Sequence, residues 1–216
     1  MINISASLLG ADFARLGEEA KRAEQAGADS LHFDIMDGYY VQNMALAPYH
    51  LKALRSYTSL PFITHLEVSD PIQIMKSFQG TDQDMIMVQA DTCKDFAEVF
   101  KSIRSQGAKI GVSLNPDVPL DIVRPVLPEI DLLLILAVMP GFGNQKMNPL
   151  TFSRIAAARE MLAQEKISLP IGVDGGINRM TAASLVEAGG EHFIVGTALV
   201  TSEDMAGVIR AMKGLA

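Results

Sequence analysis

The sequence has no tryptophan, a single cysteine and no long apolar run. With only Cys93 available, an internal disulfide and a thiolate metal cluster are excluded, and a reducing compartment is expected. The longest apolar stretch, 132–140, is about half of the roughly 20 residues that a membrane helix needs. The chain also begins without a basic segment followed by an apolar one. These absences predict a cytoplasmic protein with no membrane partner.

Positive charge is scarce as well. Lysine and arginine total 18 against 25 acidic residues, a formal net charge of −7 at pH 7, and the basic residues are scattered along the chain. This distribution excludes the basic stripe of a nucleic-acid-binding protein. If the substrate is an anion, the site must supply positive potential locally, from backbone dipoles or from a metal ion.

The chain is long enough for one closed core and too short for two large domains, so a single domain over 1–216 is expected. Short apolar runs alternate with amphipathic segments, which is typical of βα units around a parallel sheet. The predicted strands are 2–7, 30–34, 62–66, 85–89, 109–114, 132–138, 171–173 and 192–195. The helices predicted to follow them are 13–25, 49–57, 71–78, 95–105, 120–126, 150–165, 181–187 and 205–212. Eight units of about 27 residues favour the α/β (β/α)₈ TIM barrel, with a doubly wound open sheet as the alternative.

Polar residues at the ends of predicted strands are the main functional signal, because such barrels carry their chemistry there. Alternation along the second strand puts His32 and Asp34 on one face, the third strand offers His65 in the same way, and Asp174 ends the seventh. A lone strand histidine is more often a hydrogen-bonded core or rim residue than a ligand, and we give His50 and His192 that ordinary structural role. Two imidazoles and two carboxylates converging on one mouth instead suit one divalent ion, Zn²⁺ before Mn²⁺, Fe²⁺ or Co²⁺.

Glycine-bearing loops follow the sixth, seventh and eighth strands, at 140–144, 175–178 and 196–198. Turns use glycine for many reasons, so each loop alone is a weak signal. In many barrels the loops after strands seven and eight hold a phosphate through backbone N–H groups. The position of these loops therefore predicts a phosphate site.

An ordered set of segments spans nearly the whole chain: ISASLL (4–9), ADF (11–13), HFDIMDG (32–38), HL (65–66), LNP (114–116), PGFG (140–143), QK (145–146), VDGGIN (173–178) and VGTA (195–198). In these segments the chain resembles the ribulose-phosphate 3-epimerases. The resemblance implies a metal-dependent isomerase that inverts carbon 3 of a ketose phosphate, ribulose 5-phosphate to xylulose 5-phosphate in the pentose phosphate pathway. It also implies one divalent ion per subunit, and barrel enzymes of this kind are commonly homo-oligomers.

The resemblance assigns roles to individual residues. The metal ligands would be His32, Asp34, His65 and Asp174, with Asp34 and Asp174 also the acid/base pair. These aspartates would take a proton beside the ketone from one face and return another from behind, while the metal stabilises the enediolate as a Lewis acid. The substrate contacts would be Ser7, Met36, His65 and Gly141, and the phosphate contacts Gly143, Gly175, Gly176, Gly196 and Thr197.

The chain departs from the family pattern around the pocket. Tyr39-Tyr40-Val41-Gln42-Asn43 stands where the family has His-Phe-Val-Pro-Asn, and the other replacements are Glu67 for Met, Gln89 for His, Leu136 for Met and Asn144 for Gly. Two interpretations of Glu67 stay open: a polar group in the pocket, or an ordinary ion pair with a neighbouring helix. The substrate could therefore be another ketose phosphate, such as allulose 6-phosphate.

Two rival functions remain at this point. A ketose-phosphate decarboxylase on the same barrel would need a cation beside the leaving carboxylate, and Lys146 is the one lysine expected in a top loop. A non-catalytic sugar-phosphate-binding protein would explain the altered pocket. Binding alone, however, does not require two facing carboxylates.

Overall fold

The computed structural model of the protein describes residues 2–214, and in it eight parallel strands close into a barrel. Each strand pairs with its neighbour in sequence, and β8 pairs with β1. The strands are β1 Asn3–Ser7, β2 Ser30–Met36, β3 Phe62–Glu67, β4 Met85–Gln89, β5 Lys109–Leu114, β6 Leu132–Leu136, β7 Ile171–Asp174 and β8 His192–Val195. The predicted TIM barrel is confirmed, and the open sheet is excluded because β1 and β8 are hydrogen-bonded.

Helices cover the outside of the barrel. The α-helices are α1 Leu16–Gln25, α2 Pro48–Leu54, α3 Pro71–Met75, α4 Phe96–Ser105, α5 Thr151–Glu165, α6 Ala182–Ala188, α7 Thr197–Val200 and α8 Met205–Lys213. Three 3₁₀ segments are Phe13–Arg15, Ala90–Thr92 and Leu120–Glu129. Within 2–214, no helix combines the length and the apolar character that a membrane crossing requires.

The connection between β5 and β6 differs from the prediction of an ordinary helix over 120–126. It is a run of 3₁₀ turns, Leu120–Glu129, with Pro125 and Pro128 inside it. Proline lacks the backbone N–H that an α-helix needs, and its ring clashes with the carbonyl four residues earlier. Val123, Val126 and Leu127 are nevertheless buried, so the segment covers the barrel as a helix would.

Two apolar clusters hold the barrel. The larger one lies between the strands and the helices. The smaller one fills the inside of the barrel with Ile63, Met87, Leu132, Leu134, Leu136 and Ile194. Each such side chain contributes about 1.5–3 kcal/mol when fully buried. Since this plug occupies the interior, a ligand can reach only the mouth formed by the strand ends and their loops.

Candidate active site

Four polar side chains meet at the carboxyl end of the barrel. His32 and Asp34 come from β2, His65 from β3 and Asp174 from the last position of β7. The strand register pairs Asp34 on β2 with His65 on β3, so these two residues lie at the same height in the barrel. One ligand atom from each of the four residues lies within 4.8 Å of the others. The sequence prediction that these four side chains converge is confirmed.

Asp34 lies at the centre of the cluster. Its Oδ1 is 3.0 Å from His32 Nε2 and 3.5 Å from His65 Nδ1, and its Oδ2 accepts a hydrogen bond of 3.2 Å from Ser7 Oγ. Asp174 Oδ2 is 3.8 Å from the same His32 nitrogen. The two aspartates therefore have different surroundings, because only Asp34 is held by several donors.

The orientation of His65 is fixed from behind. Ser113 Oγ, which donates to the carbonyl oxygen of Val88 at 3.2 Å, lies 2.9 Å from His65 Nε2, and the side-chain amide of Gln89 lies 3.2 Å from the same nitrogen. His65 Nδ1 on the other side of the ring faces Asp34 at 3.5 Å and has no hydrogen-bond partner within the described residues. A ring nitrogen held in this way beside a carboxylate can bind a cation together with it.

The surroundings of Asp34 and Asp174 shift the pKa values of their carboxyl groups in opposite directions. Burial opposes the charge on Asp34, but the imidazoles of His32 and His65 lower the pKa of its carboxyl far below the ordinary value. Burial, against the attraction of His32 and together with repulsion from Asp34, raises the pKa of Asp174 to about 7. Burial lowers the pKa of His65. His65 is therefore neutral near pH 7, as a metal ligand must be.

The cluster could hold a divalent metal ion. Two imidazole nitrogens and two carboxylate oxygens are a donor set that suits such ions. The adjoining cavity has the carboxyl groups of Asp34, Glu67 and Asp174 in its wall, and Lys146 is the one basic side chain among the described residues that line it. A dication would offset the negative charge that these carboxyl groups carry when ionised, a charge that repels an anionic substrate.

A cavity of about 650 Å³ opens above the cluster. The predicted catalytic and substrate residues in its wall are Ser7, Asp34, Met36, Gly141, Gly143, Asp174, Gly175, Gly176, Gly196 and Thr197. His32 and His65 are not among the lining residues, because both are 0% exposed and lie beneath the floor. His65 is thus brought to the four-residue cluster rather than to the open cavity.

The glycine-bearing loops after β6, β7 and β8 form one side of this cavity. Gly175 and Gly176 have φ angles of +104° and +67°, a region that favours glycine. A Cβ on Gly176 would lie 2.9 Å from the backbone nitrogen of Met147. Asn144 also has a positive φ of 57°, which asparagine tolerates better than most residues.

The departures from the family pattern have different structural outcomes. Leu136 lies in the cavity wall, and Gln89 is buried with its Nε2 3.2 Å from His65 Nε2. Tyr39 is 88% exposed and lies outside the cavity wall. The ion-pair interpretation of Glu67 is wrong, since this residue is 3% exposed, lines the cavity and has no lysine or arginine within 4.0 Å among the described residues.

Some residues around the site were missed by the sequence analysis. Ser113 is one, although its polar side chain within the apolar strand β5 is a readable signal. Another is the network in which Tyr40 OH donates to Asp91 at 3.0 Å and accepts from Asn115 Nδ2 at 2.6 Å. This network joins the loops after β2, β4 and β5, and no sequence spacing indicates it.

The remaining histidines lie outside the cluster, as expected. His50 Nδ1 accepts a 3.0 Å hydrogen bond from the backbone N–H of Ala47 at the start of α2. His192 Nε2 is 2.6 Å from Ser5 Oγ on the neighbouring strand. Both contacts support local structure rather than the site.

Solved structures with the same fold are distant in sequence. A thiamine phosphate pyrophosphorylase from Pyrococcus furiosus superposes with a TM-score of 0.64 at 16% identity, covering 99% of this chain and 95% of that one. A mutant tryptophan synthase alpha-subunit from the same organism gives 0.67 at 14% identity, covering 99% and 100%. These similarities support the barrel and carry nothing about its chemistry.

Sequence relatives are much closer. The ribulose-phosphate 3-epimerase of Bacillus subtilis (strain 168) is 36% identical over 215 residues, 99% of either chain. The chloroplastic ribulose-5-phosphate-3-epimerase of Arabidopsis thaliana is 37% identical over 214 residues, 98% of this chain and 76% of the relative. The Escherichia coli (strain K12) ribulose-phosphate 3-epimerase is 33% identical over 97% of this chain and 94% of its own length. A sequence model of the ribulose-phosphate 3 epimerase family matches residues 3–200, and the chain therefore belongs to this family of isomerases.

Proposed function

We propose that this protein is a metal-dependent epimerase that inverts carbon 3 of a ketose phosphate by proton transfer through Asp34 and Asp174. One observation carries the proposal. The two carboxyl groups come from β2 and β7, both line the same cavity, and both lie in the cluster whose ligand atoms are within 4.8 Å of one another. A protein that only bound a sugar phosphate would have no need to bury two carboxylates so close together, because like charges in a low dielectric repel strongly.

Inversion requires one group to remove the proton from carbon 3 and another to return a proton to the opposite face. Asp34 is held in place by Ser7 and His32. Asp174 reaches the cavity from β7, which is separated from β2 by β8 and β1. Each can act as base in one direction of the reaction and as acid in the other. Exchange of these roles makes the reaction reversible.

His32, Asp34, His65 and Asp174 would hold the divalent ion. When bound, the ion would act as a Lewis acid that stabilises negative charge on the oxygens of the deprotonated sugar, lowering the barrier by several kcal/mol. Ser113 holds the His65 ring with Nδ1 facing the cluster. The buried floor excludes water from one side of the reacting carbons.

The loops after β6, β7 and β8 would hold the phosphate. Gly143, Gly176 and Gly196 leave room for the backbone N–H groups to approach an anion. Gln145 Nε2 donates to the carbonyl oxygens of Met139 and Phe142, both at 2.7 Å, which ties the first of these loops together. Binding energy from the phosphate would fix the orientation of carbon 3.

The test is a proton-exchange assay. Protein stripped by a chelator and reloaded with Zn²⁺, Mn²⁺, Fe²⁺ or Co²⁺ is incubated with ribulose 5-phosphate in D₂O. Formation of xylulose 5-phosphate with deuterium at carbon 3 is expected, and the stripped protein should be inactive. A fully loaded protein that neither converts nor labels ribulose 5-phosphate or allulose 6-phosphate would contradict the proposal.

A further inference from the structure

One polar side chain of the cavity takes no part in the chemistry proposed above. Glu67 ends β3, lines the cavity and is 3% exposed. Its Oε2 has no hydrogen-bond partner in the part of the chain that the structure describes. A buried carboxyl oxygen without a partner costs about 1–3 kcal/mol or more, so the position is expensive unless a ligand satisfies it.

The strand geometry fixes where this carboxyl group lies. Along β3 the side chains of His65 and Glu67 share the inner face, with Leu66 pointing to the helices. The register pairs Glu67 with Met36 on β2, two residues beyond the pair of Asp34 and His65. Glu67 therefore lies one layer above the metal cluster, at the level where a substrate would lie.

Neither a metal ion nor a neighbouring helix accounts for Glu67. It is not among the four residues whose ligand atoms are within 4.8 Å of one another. Its Oε1 is 4.0 Å from His65 Nδ1, which is beyond hydrogen-bond distance. The missing partner must come from the cavity, and a group that donates a hydrogen bond to an unprotonated carboxyl oxygen would supply it.

The barrel order indicates which part of the substrate that donor belongs to. Glu67 is on β3, and Gly175 and Gly176 follow β7, four strands away in a closed barrel of eight, on the opposite side of the mouth. If the glycine-bearing loops hold the phosphate, a ketose chain that crosses the metal cluster ends near Glu67. At that end of the ketose lies the carbon beyond the ketone, which is carbon 1, on the side of the ketone away from the phosphate.

We propose that Glu67 accepts a hydrogen bond from the hydroxyl group on the carbon beyond the ketone. The protein would thus select ketose phosphates that end in a hydroxymethyl ketone over those that end in a methyl ketone. This inference rests on the epimerase function proposed above. Glu67 is then a specificity-determining substrate contact.

The test uses two sugars that differ by one hydroxyl group, xylulose 5-phosphate and 1-deoxyxylulose 5-phosphate. For each, kcat/KM for deuterium uptake at carbon 3 is measured by NMR with metal-loaded parent, Glu67→Met and Glu67→Gln proteins. For each protein, kcat/KM for one sugar is divided by kcat/KM for the other. Comparing this ratio between proteins cancels the difference in intrinsic acidity between the two sugars. We expect the preference of the parent for the hydroxylated sugar to fall about 10- to 100-fold in Glu67→Met. Glu67→Gln, which keeps an acceptor, should retain part of it.

Controls separate this contact from other roles. Glu203→Met, at an exposed position before α8, should leave the ratio unchanged. The metal content of Glu67→Met should equal that of the parent, and its melting temperature should not fall, because the substitution removes a buried group without a partner.

An unchanged ratio in Glu67→Met would overturn the inference while leaving the epimerase intact. Loss of metal from Glu67→Met would overturn it as well, because Glu67 would then be a ligand. Absence of exchange with either sugar in the loaded parent would contradict the proposed function itself.

Discussion

At the scale of single residues, the behaviour of His65 depends on Ser113. The serine Oγ lies 2.9 Å from His65 Nε2 and also donates to the carbonyl oxygen of Val88. Ser113→Ala removes this contact and leaves the ring freer to rotate. We expect the metal affinity to fall about 10- to 100-fold, as measured by titration of the stripped protein with Zn²⁺.

A matched substitution controls for the loss of a hydroxyl group. Ser153 lies on the exposed face of α5, where its Oγ donates to the carbonyl oxygen of Leu150 at 2.9 Å. Ser153→Ala should bind Zn²⁺ with the affinity of the parent. Equal affinities for Ser113→Ala and the parent would mean that His65 is oriented by something other than the serine.

Residue patterns in the sequence predict part of this site and miss the rest. Period-two alternation is enough to place His32 and Asp34 on one face of a strand, and the barrel rule carries them to the mouth. The hydrogen-bond partner of a buried histidine cannot be predicted in this way, since Ser113 is 48 residues from His65 in sequence. Alternation also leaves Glu67 with two interpretations, because only the packing of neighbouring strands decides whether its carboxyl group meets a cation.

At the scale of elements, the loop after β7 is shaped by consecutive glycines. Alanine at Gly176 would need a left-handed backbone and would bring its Cβ to 2.9 Å from the backbone nitrogen of Met147. Left-handed backbone alone costs about 1–2 kcal/mol in a residue with a Cβ. We expect Gly176→Ala to lower the melting temperature and to raise the KM for the ketose phosphate at least about tenfold, because phosphate binding fixes the substrate.

Gly27 offers the control for this substitution. Its φ is +91°, and a Cβ there would meet nothing within 4 Å. Gly27→Ala should therefore show the backbone penalty in its melting temperature and leave KM unchanged. A KM of Gly176→Ala equal to that of Gly27→Ala would remove the loop after β7 from the phosphate site.

The elements themselves follow closely from the sequence where the apolar pattern is strong. All eight strands are where alternation and apolar runs put them, with ends shifted by at most two residues. The segment after β5 is less predictable because its burial pattern resembles that of a helix while Pro125 and Pro128 prevent α-helical hydrogen bonding. The short helix α7, Thr197–Val200, is missed because four residues give no periodicity to detect.

At the scale of the whole molecule, a bound ion should contribute to stability as well as to chemistry. An ion that binds the folded chain only, at 100 times its Kd, adds about 2.7 kcal/mol. For a chain of this length we expect chelation to lower the melting temperature by roughly 5–10 °C, as measured by calorimetry with and without Zn²⁺.

Histidine variants provide the comparison for this shift. His50→Asn, outside the cluster, should keep the full metal-dependent shift, although the loss of its contact with Ala47 lowers both melting temperatures. His65→Asn should lose most of the shift. A shift that is the same in both variants would mean that the stabilising ion binds elsewhere.

The central claim is that Asp34 and Asp174 carry protons to and from carbon 3, and the Asp174→Asn variant tests it most directly. The variant is loaded with metal, its metal content is verified, and the conversion of ribulose 5-phosphate to xylulose 5-phosphate is followed. Loss of one of the two proton-transferring carboxyl groups should slow this inversion by about a hundredfold to ten-thousandfold. A metal-loaded Asp174→Asn protein that inverts carbon 3 as fast as the parent would contradict the account.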